Sequence, residues 1–232
     1  MPHLFLKNPM RKQYKSKRKS KRITKYVSGV FLLLLLFVGV LAVMKFFEIG
    51  LFSNRYVERE GTEMQIEQPE MNVQLLTINP YSRPGTRSEK IENIVIHYTA
   101  NPGTSAVQNR NYFEGLKNSH KTKASSHFIV GIQGEIVQCV PTWEIAYASN
   151  ERNINTVSIE TCHLKSDGAY TKETYDSMVH LTAWLCEKFG LNEEDIIRHY
   201  DITGKNCPKY FVEDEEAWLR FKEDVKKMLE ER

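Results

Sequence analysis

Two histidines and a cysteine, far apart in this 232-residue sequence, carry the side chains that bind zinc best: His97, His199 and Cys207. Zinc takes imidazole nitrogen and thiolate sulfur, and a catalytic site keeps three protein ligands and one open position. His97 closes an apolar, β-branched run. His199 and Cys207 flank a segment containing Gly204, with Pro208 directly after it, flexible enough to fold back on itself. Taken singly, each residue has a plainer reading. A strand-end histidine is commonly structural, a cysteine commonly packs in a core, and H-x7-C is not one of the standard zinc spacings. The chemistry therefore depends on elements that bring the three together.

Those elements follow from periodicity and punctuation. IENIVIHY at 91–98 reads as a buried strand. SAVQNRNYFEGLK at 105–117 reads as an amphipathic helix, and HFIVGIQGEIVQCV at 127–140 as a hairpin turning at Gln133-Gly134. NTVSIETC at 155–162 predicts another strand. TKETYDSMVHLTAWLCEKF at 171–189 predicts a helix that Gly190 stops. DIIRHYDI at 195–202 is a brief apolar run leading into a loop, and 212–232 reads as one final helix with acids early and lysines late. Interleaved strands and helices predict an α/β domain, with a central mixed β-sheet flanked by helices.

Five segments sharpen this reading: NPYSRPGT (79–86), IVIHYTAN (94–101), SSHFIVGIQGEIVQCVP (125–141), NTVSIETC (155–162) and RHYDITGKNCP (198–208). In order and spacing they resemble the zinc-dependent N-acetylmuramoyl-L-alanine amidases, the type 2 amidases whose fold is shared with phage lysozyme-type amidases and peptidoglycan-recognition proteins. The H-x-T-A-N form of the second segment and the glutamate of the fourth resemble the Bacillus-type branch. The resemblance implies a peptidoglycan hydrolase that cleaves the amide between N-acetylmuramic acid and L-alanine with zinc-activated water. It places the metal ligands on His97, His199 and Cys207, a catalytic glutamate on Glu160 and a catalytic lysine on Lys205. The alternative is a module that binds peptidoglycan without cutting it. Noncatalytic members typically lack the cysteine ligand, and Cys207 is present.

The residue chemistry agrees with these roles. A carboxylate beside a metal-activated water can take its proton and pass it to the leaving amine, and a lysine can hold the developing oxyanion. Glu160 lies in a run that otherwise looks buried, where an unpartnered carboxylate is costly; its plain alternative is a strand-edge glutamate facing solvent. For Lys205 the plain alternative is a solvated loop lysine. Ser126 stands where phage relatives carry a catalytic tyrosine, which leaves the acid–base work to Glu160. Tyr147 stands where many relatives carry a substrate-side histidine. His127 and Tyr147 are candidate substrate contacts, a buried structural histidine being the alternative for His127. Asp201 is a candidate to orient His199 or to cap its loop. His120, His163 and His180 read as surface or helix residues without a role.

The remaining features concern location. Residues 1–25 hold ten Lys or Arg and no acid, while the remainder holds 22 basic and 29 acidic residues. A basic tail on a mildly acidic body excludes a nucleic-acid partner, since the basic patch should lie on the fold itself. Val27 to Met44 is uncharged and apolar; at ~1.5 Å per residue it spans about 27 Å, near the thickness of a bilayer core. A cleaved signal peptide is the competing reading, but this run is longer than a signal core and no small-x-small site follows it. The expected organisation is a basic cytoplasmic tail at 1–26, a single-pass membrane anchor at 27–45, an extracytoplasmic stalk at 46–78 and the amidase domain at 79–232. Cys139, Cys162 and Cys186 fall within apolar patterns and read as buried thiols.

Overall fold

A computed structural model describes residues 64–231. The expected tail (1–26), the anchor (27–45) and the stalk as far as residue 63 lie outside the described residues. Among the described residues no helix is long and apolar enough to cross a membrane.

The chain runs through β1 (Asn72–Val73), β2 (Asn93–Tyr98), α1 (Ala106–Ser119), β3 (Phe128–Val130), β4 (Ile136–Gln138), β5 (Thr156–Thr161), α2 (Lys172–Phe189), β6 (Ile196–Arg198), α3 (His199–Thr203), α4 (Lys209–Glu213) and α5 (Glu215–Glu230). The six strands form one mixed sheet in the order β1-β4-β3-β5-β2-β6. Among the strand pairs of this sheet in the described residues, the β3–β4 hairpin is antiparallel and the others are parallel. The helices predicted near 105–117 and 171–189 form with the boundaries their signals imply. Ser105 and Gln108 make a capping box ahead of α1. Gly190, at φ 67°, takes the left-handed conformation that closes α2.

Alternation along the strands splits the interior in two. Ile94, Ile96, Val157, Ile159, Phe128 and Val130 face α2, α4 and α5, where Met178, Leu181, Leu185, Phe211, Trp218 and Phe221 cover them. On the other face Ile129 and Val137 pack with Ala106, Phe113 and Leu116 of α1. In α5 the buried Trp218, Phe221, Val225 and Leu229 recur at helical spacing, so one stripe of the helix lies on the core.

Three local expectations are corrected. The final helix does not run unbroken from 212. Asp214 leaves helical geometry at φ −126°, ψ 90°, and its carboxylate accepts from the Ala217 amide at 2.9 Å, ending α4 and capping α5. The second half of the 195–202 run, expected to lead straight into a loop, is a short helix, α3, with His199 as its first residue. The packed unit also takes in residues 64–78, which the sequence reading assigned to the stalk. Ile66 and Leu76 are buried. β1 pairs with the outer side of β4, and the amides of Gln65 and Ile66 donate to the Glu187 carboxylate at 3.1 and 2.8 Å. Segment 64–78 looks polar and aperiodic because its order comes from backbone and side-chain bonds to distant residues.

Candidate metal centre and groove

The site forms where parallel strands end, the usual place for ligands in open α/β sheets. β2 pairs with β5 on one side and β6 on the other. The β2–β5 register sets His97 directly opposite Glu160, and the β2–β6 register pairs Ile96 with Arg198, so His199 follows level with His97. The two imidazole rings lie 4.7 Å apart, centroid to centroid. Cys207 returns because α3 lasts a single short stretch. Gly204, at φ 74°, turns the chain, and the Tyr200 amide donates to the Cys207 carbonyl at 2.8 Å. The Cys207 Sγ then sits 3.9 Å from His97 Nδ1. One ligand atom from each of His97, His199 and Cys207 lies within 4.8 Å of the others, and all three residues are buried. The three residues singled out from the sequence therefore converge.

Two orphaned atoms lie among them. His199 Nε2 and Glu160 Oε2 are buried and have no hydrogen-bond partner. Buried polar atoms are ordinarily paired, so two imidazoles, one of them with an unpartnered ring nitrogen, and a thiol fit a zinc ion, which would take the three as ligands. The electrostatics suit the same donors. Burial, then the proximity of His199 and Lys205, hold His97 well below the ordinary histidine range. Burial, then Lys205, lower His199. Both shifts favour the neutral ring, the form that coordinates a metal. Burial, then Glu160, push the Cys207 thiol up to about 12, while the Tyr98 amide and Lys205 pull the other way. A dication held there would favour the thiolate outright. Burial raises Glu160 to about 8 despite the opposing charge of Lys205.

A groove of about 350 Å³ opens over this cluster. Glu160, Lys205, Tyr147, Lys123, Asn150 and Asn153 line it together with the three candidate ligands. The Lys123 Nζ lies 5.3 Å from the centroid of the Tyr147 ring. Glu160 is therefore no strand-edge residue, since β5 runs between β3 and β2, and Lys205 is an exposed cation on the groove wall.

Other expectations are corrected. His127 does not line the groove. It is buried, with Nδ1 against Ser158 at 3.0 Å and Nε2 on the Glu144 carbonyl at 2.9 Å, and burial lowers its pKa to about 4. It lies just ahead of β3, between Ser158 and Glu144, which hold its two ring nitrogens. Ser126 is likewise tied down, donating to backbone carbonyls of Phe128 and Ser158. Of the two readings of Asp201, the structure gives the cap of α3 and not the support of His199. Its carboxylate accepts from the Arg198 amide at 2.7 Å and pairs with the Arg198 guanidinium at 3.0 Å. His163 is buried rather than superficial and stacks on Tyr98, ring centroids 5.2 Å apart. Cys139, Cys162 and Cys186 are buried free thiols, as expected.

Two further contacts hold His97. The Thr161 hydroxyl donates to the His97 carbonyl at 2.7 Å, and Ser149 Oγ lies 3.3 Å from His97 Nε2. The strand register carries a signal for the first, because Thr161 neighbours Glu160. Nothing in the sequence marks the second.

Comparison with known proteins now bears on the site. The family model described as N-acetylmuramoyl-L-alanine amidase matches residues 87–210, a span that contains His97, Glu160, His199, Lys205 and Cys207. The amidase CwlL of Bacillus licheniformis is 36% identical over 165 residues, 66% of this chain and 45% of its own length. The amidase BlyA of Bacillus subtilis (strain 168) is 33% identical over 172 residues, 65% of this chain and 45% of its own. The chain thus spans less than half the length of these curated relatives. Among solved structures, that of PlyL superposes with a TM-score of 0.59 at 23% identity, covering 68% of this chain and 98% of PlyL. The catalytic domain of XlyA gives 0.55 at 24%, covering 67% and 99%. These two share the fold.

Proposed function

The chain belongs to the N-acetylmuramoyl-L-alanine amidase family, and from that premise we propose that it hydrolyses the amide joining N-acetylmuramic acid to the L-alanine of the stem peptide in bacterial peptidoglycan. The observation that carries the proposal is the convergence of His97, His199 and Cys207 beside the unpartnered carboxylate of Glu160, on the floor of an open groove. Names of the relatives support the same bond, since CwlL and BlyA are both described as N-acetylmuramoyl-L-alanine amidases.

In this reading His97, His199 and Cys207 hold zinc, which when bound lowers the pKa of water to about 7 and polarises a carbonyl. Glu160 is the proton carrier. Burial raises its pKa above the ordinary carboxyl range, and its Oε2 has no hydrogen-bond partner, which leaves it free to take up a proton and release it. General acid–base transfer of this kind contributes about 10²–10⁴-fold. Lys205 places its ammonium on the groove wall, where it supports negative charge on the scissile carbonyl oxygen. Tyr147 and Lys123 supply an aromatic face and a cation for the glycan-peptide strand.

The proposal keeps residues 27–45 as a single-pass membrane anchor, residues 1–26 in the cytoplasm and the domain outside. The ten cations without an acid in 1–25 and the apolar run behind them support that topology. Protease added to intact cells should remove the domain and spare the tail; a domain protected until lysis would refute it. For the activity, mass analysis of the products from a defined muropeptide, with and without chelator, is the test. The expected products are a peptide with free N-terminal alanine and an intact sugar. Chelator-treated protein should release neither. Wall binding without any release of peptide would leave a binding module instead.

A further inference from the structure

An imidazole that gives one ring nitrogen to a metal carries its proton on the other, and that second nitrogen's hydrogen bond fixes the tautomer and the ring's orientation. His97 presents Nδ1 to the Cys207 sulfur at 3.9 Å and Nε2 to the hydroxyl of Ser149 at 3.3 Å. Both side chains are buried, Ser149 completely so. The loop around Ser149 is held firmly. The Asn153 carboxamide oxygen accepts from the amides of Ala148 at 3.0 Å and Ser149 at 2.6 Å, and the Arg152 amide donates to the Ser149 carbonyl at 3.0 Å. The next residue, Asn150, sits at φ 54°, a left-handed conformation sparsely adopted outside glycine. Backbone held in such a conformation persists where surrounding structure over-determines it, and it clusters at functional sites.

We propose that Ser149 is a positioning residue for the metal centre: its Oγ accepts a hydrogen bond from His97 Nε2–H, which leaves the Nδ1 lone pair directed at the metal beside Cys207. The Thr161 hydroxyl on the His97 carbonyl fixes the backbone from the other end, so main chain and ring are set independently. Sequence position gives no hint of this, because the two residues are 52 apart along the chain. The assignment rests on the zinc reading of the His97–His199–Cys207 cluster.

Two measurements on the full-length protein test it, neither of which reads turnover. In the first, zinc is titrated into metal-stripped protein against a competing chelator. Ser149→Ala should weaken zinc binding about 10–100-fold, the usual effect of removing such a partner, and Ser149→Thr, which keeps the hydroxyl, should restore most of it. Unchanged affinity in Ser149→Ala overturns the assignment and leaves the zinc reading intact, whereas a wild-type protein that takes up no zinc defeats both. The second needs no variant and so survives a Ser149→Ala chain that fails to fold. Long-range ¹⁵N–¹H spectra of metal-stripped wild-type protein should show His97 protonated on Nε2. A proton on Nδ1, with Ser149 donating, would overturn the proposal.

Discussion

At the residue scale the site separates ligands from the groups that serve them. The three candidate ligands come from the end of β2 and from a returning segment, so removing any one leaves two donors, too few for a stable zinc site. Cys207→Ala should lose most bound zinc and nearly all activity. Glu160→Gln should keep full zinc stoichiometry and lose about 10²–10⁴-fold in turnover. Metal analysis paired with a release assay distinguishes the two, and a Glu160→Gln chain with wild-type turnover would mean another group moves the proton. His127 illustrates the opposite case. Both its ring nitrogens have buried protein partners, so His127→Phe strands the Ser158 amide and the Glu144 carbonyl, at a cost of about 1–3 kcal/mol per stranded group. Urea denaturation should show that loss. A change in zinc affinity with no change in stability would return His127 to the site.

At the scale of elements, segment 64–78 shields the outer edge of β4 and is held by α1. Glu114 of α1 accepts from the Thr77 amide at 3.0 Å and the Thr77 hydroxyl at 2.6 Å, and Lys117 reaches it at 2.5 Å. Burial alone would raise the Glu114 pKa, but the bonds from Lys117 and Thr77, with Arg110 nearby, hold it at about 2. A carboxyl depressed in the folded state adds stability that is full above its unfolded pKa, ~4.3, and disappears as pH falls through the folded value. The stability difference between wild type and Glu114→Gln should therefore be constant near neutrality and shrink between about pH 4.5 and 2. A difference independent of pH across that window would show that the shift is absent. Truncation to begin at residue 79 removes the burial of Leu76 and Ile66 and uncovers the β4 edge. Burying one such side chain is worth about 1.5–3 kcal/mol, so the truncated chain should unfold at lower urea and aggregate more readily. An identical midpoint would make the segment a passive tether after all.

For the whole molecule, metal and fold are thermodynamically linked. A ligand that binds only the folded state stabilises it by about 4 kcal/mol at a thousandfold excess over Kd. Chelator should therefore lower the melting temperature of the protein as purified, and added zinc should restore it. A melting curve indifferent to both would argue against a zinc centre. Docking of residues 64–78 also bears on the proposed anchoring. Glu187 of α2 holds residues 65 and 66, near the start of the described residues. Tethering of this kind raises effective concentration near an insoluble polymer without adding a contact.

The amino-acid sequence alone determined the candidate ligand types, the strand that carries His97, the hairpin, the two helices with Ser105 and Gly190 at their boundaries, and the buried character of Glu160 and of Cys139, Cys162 and Cys186. Each is written in local periodicity, in a turn or cap residue, or in a side chain whose chemistry is distinctive on its own. Tertiary structure alone decided the rest. It set which nitrogen of His97 faces Cys207, brought Ser149 to the other, turned His127 inward, gave Asp201 to Arg198, and folded an aperiodic polar segment onto a sheet edge. These depend on register between strands and on residues tens of positions apart meeting across the sheet. No local pattern encodes such meetings; they are fixed only when the whole core packs.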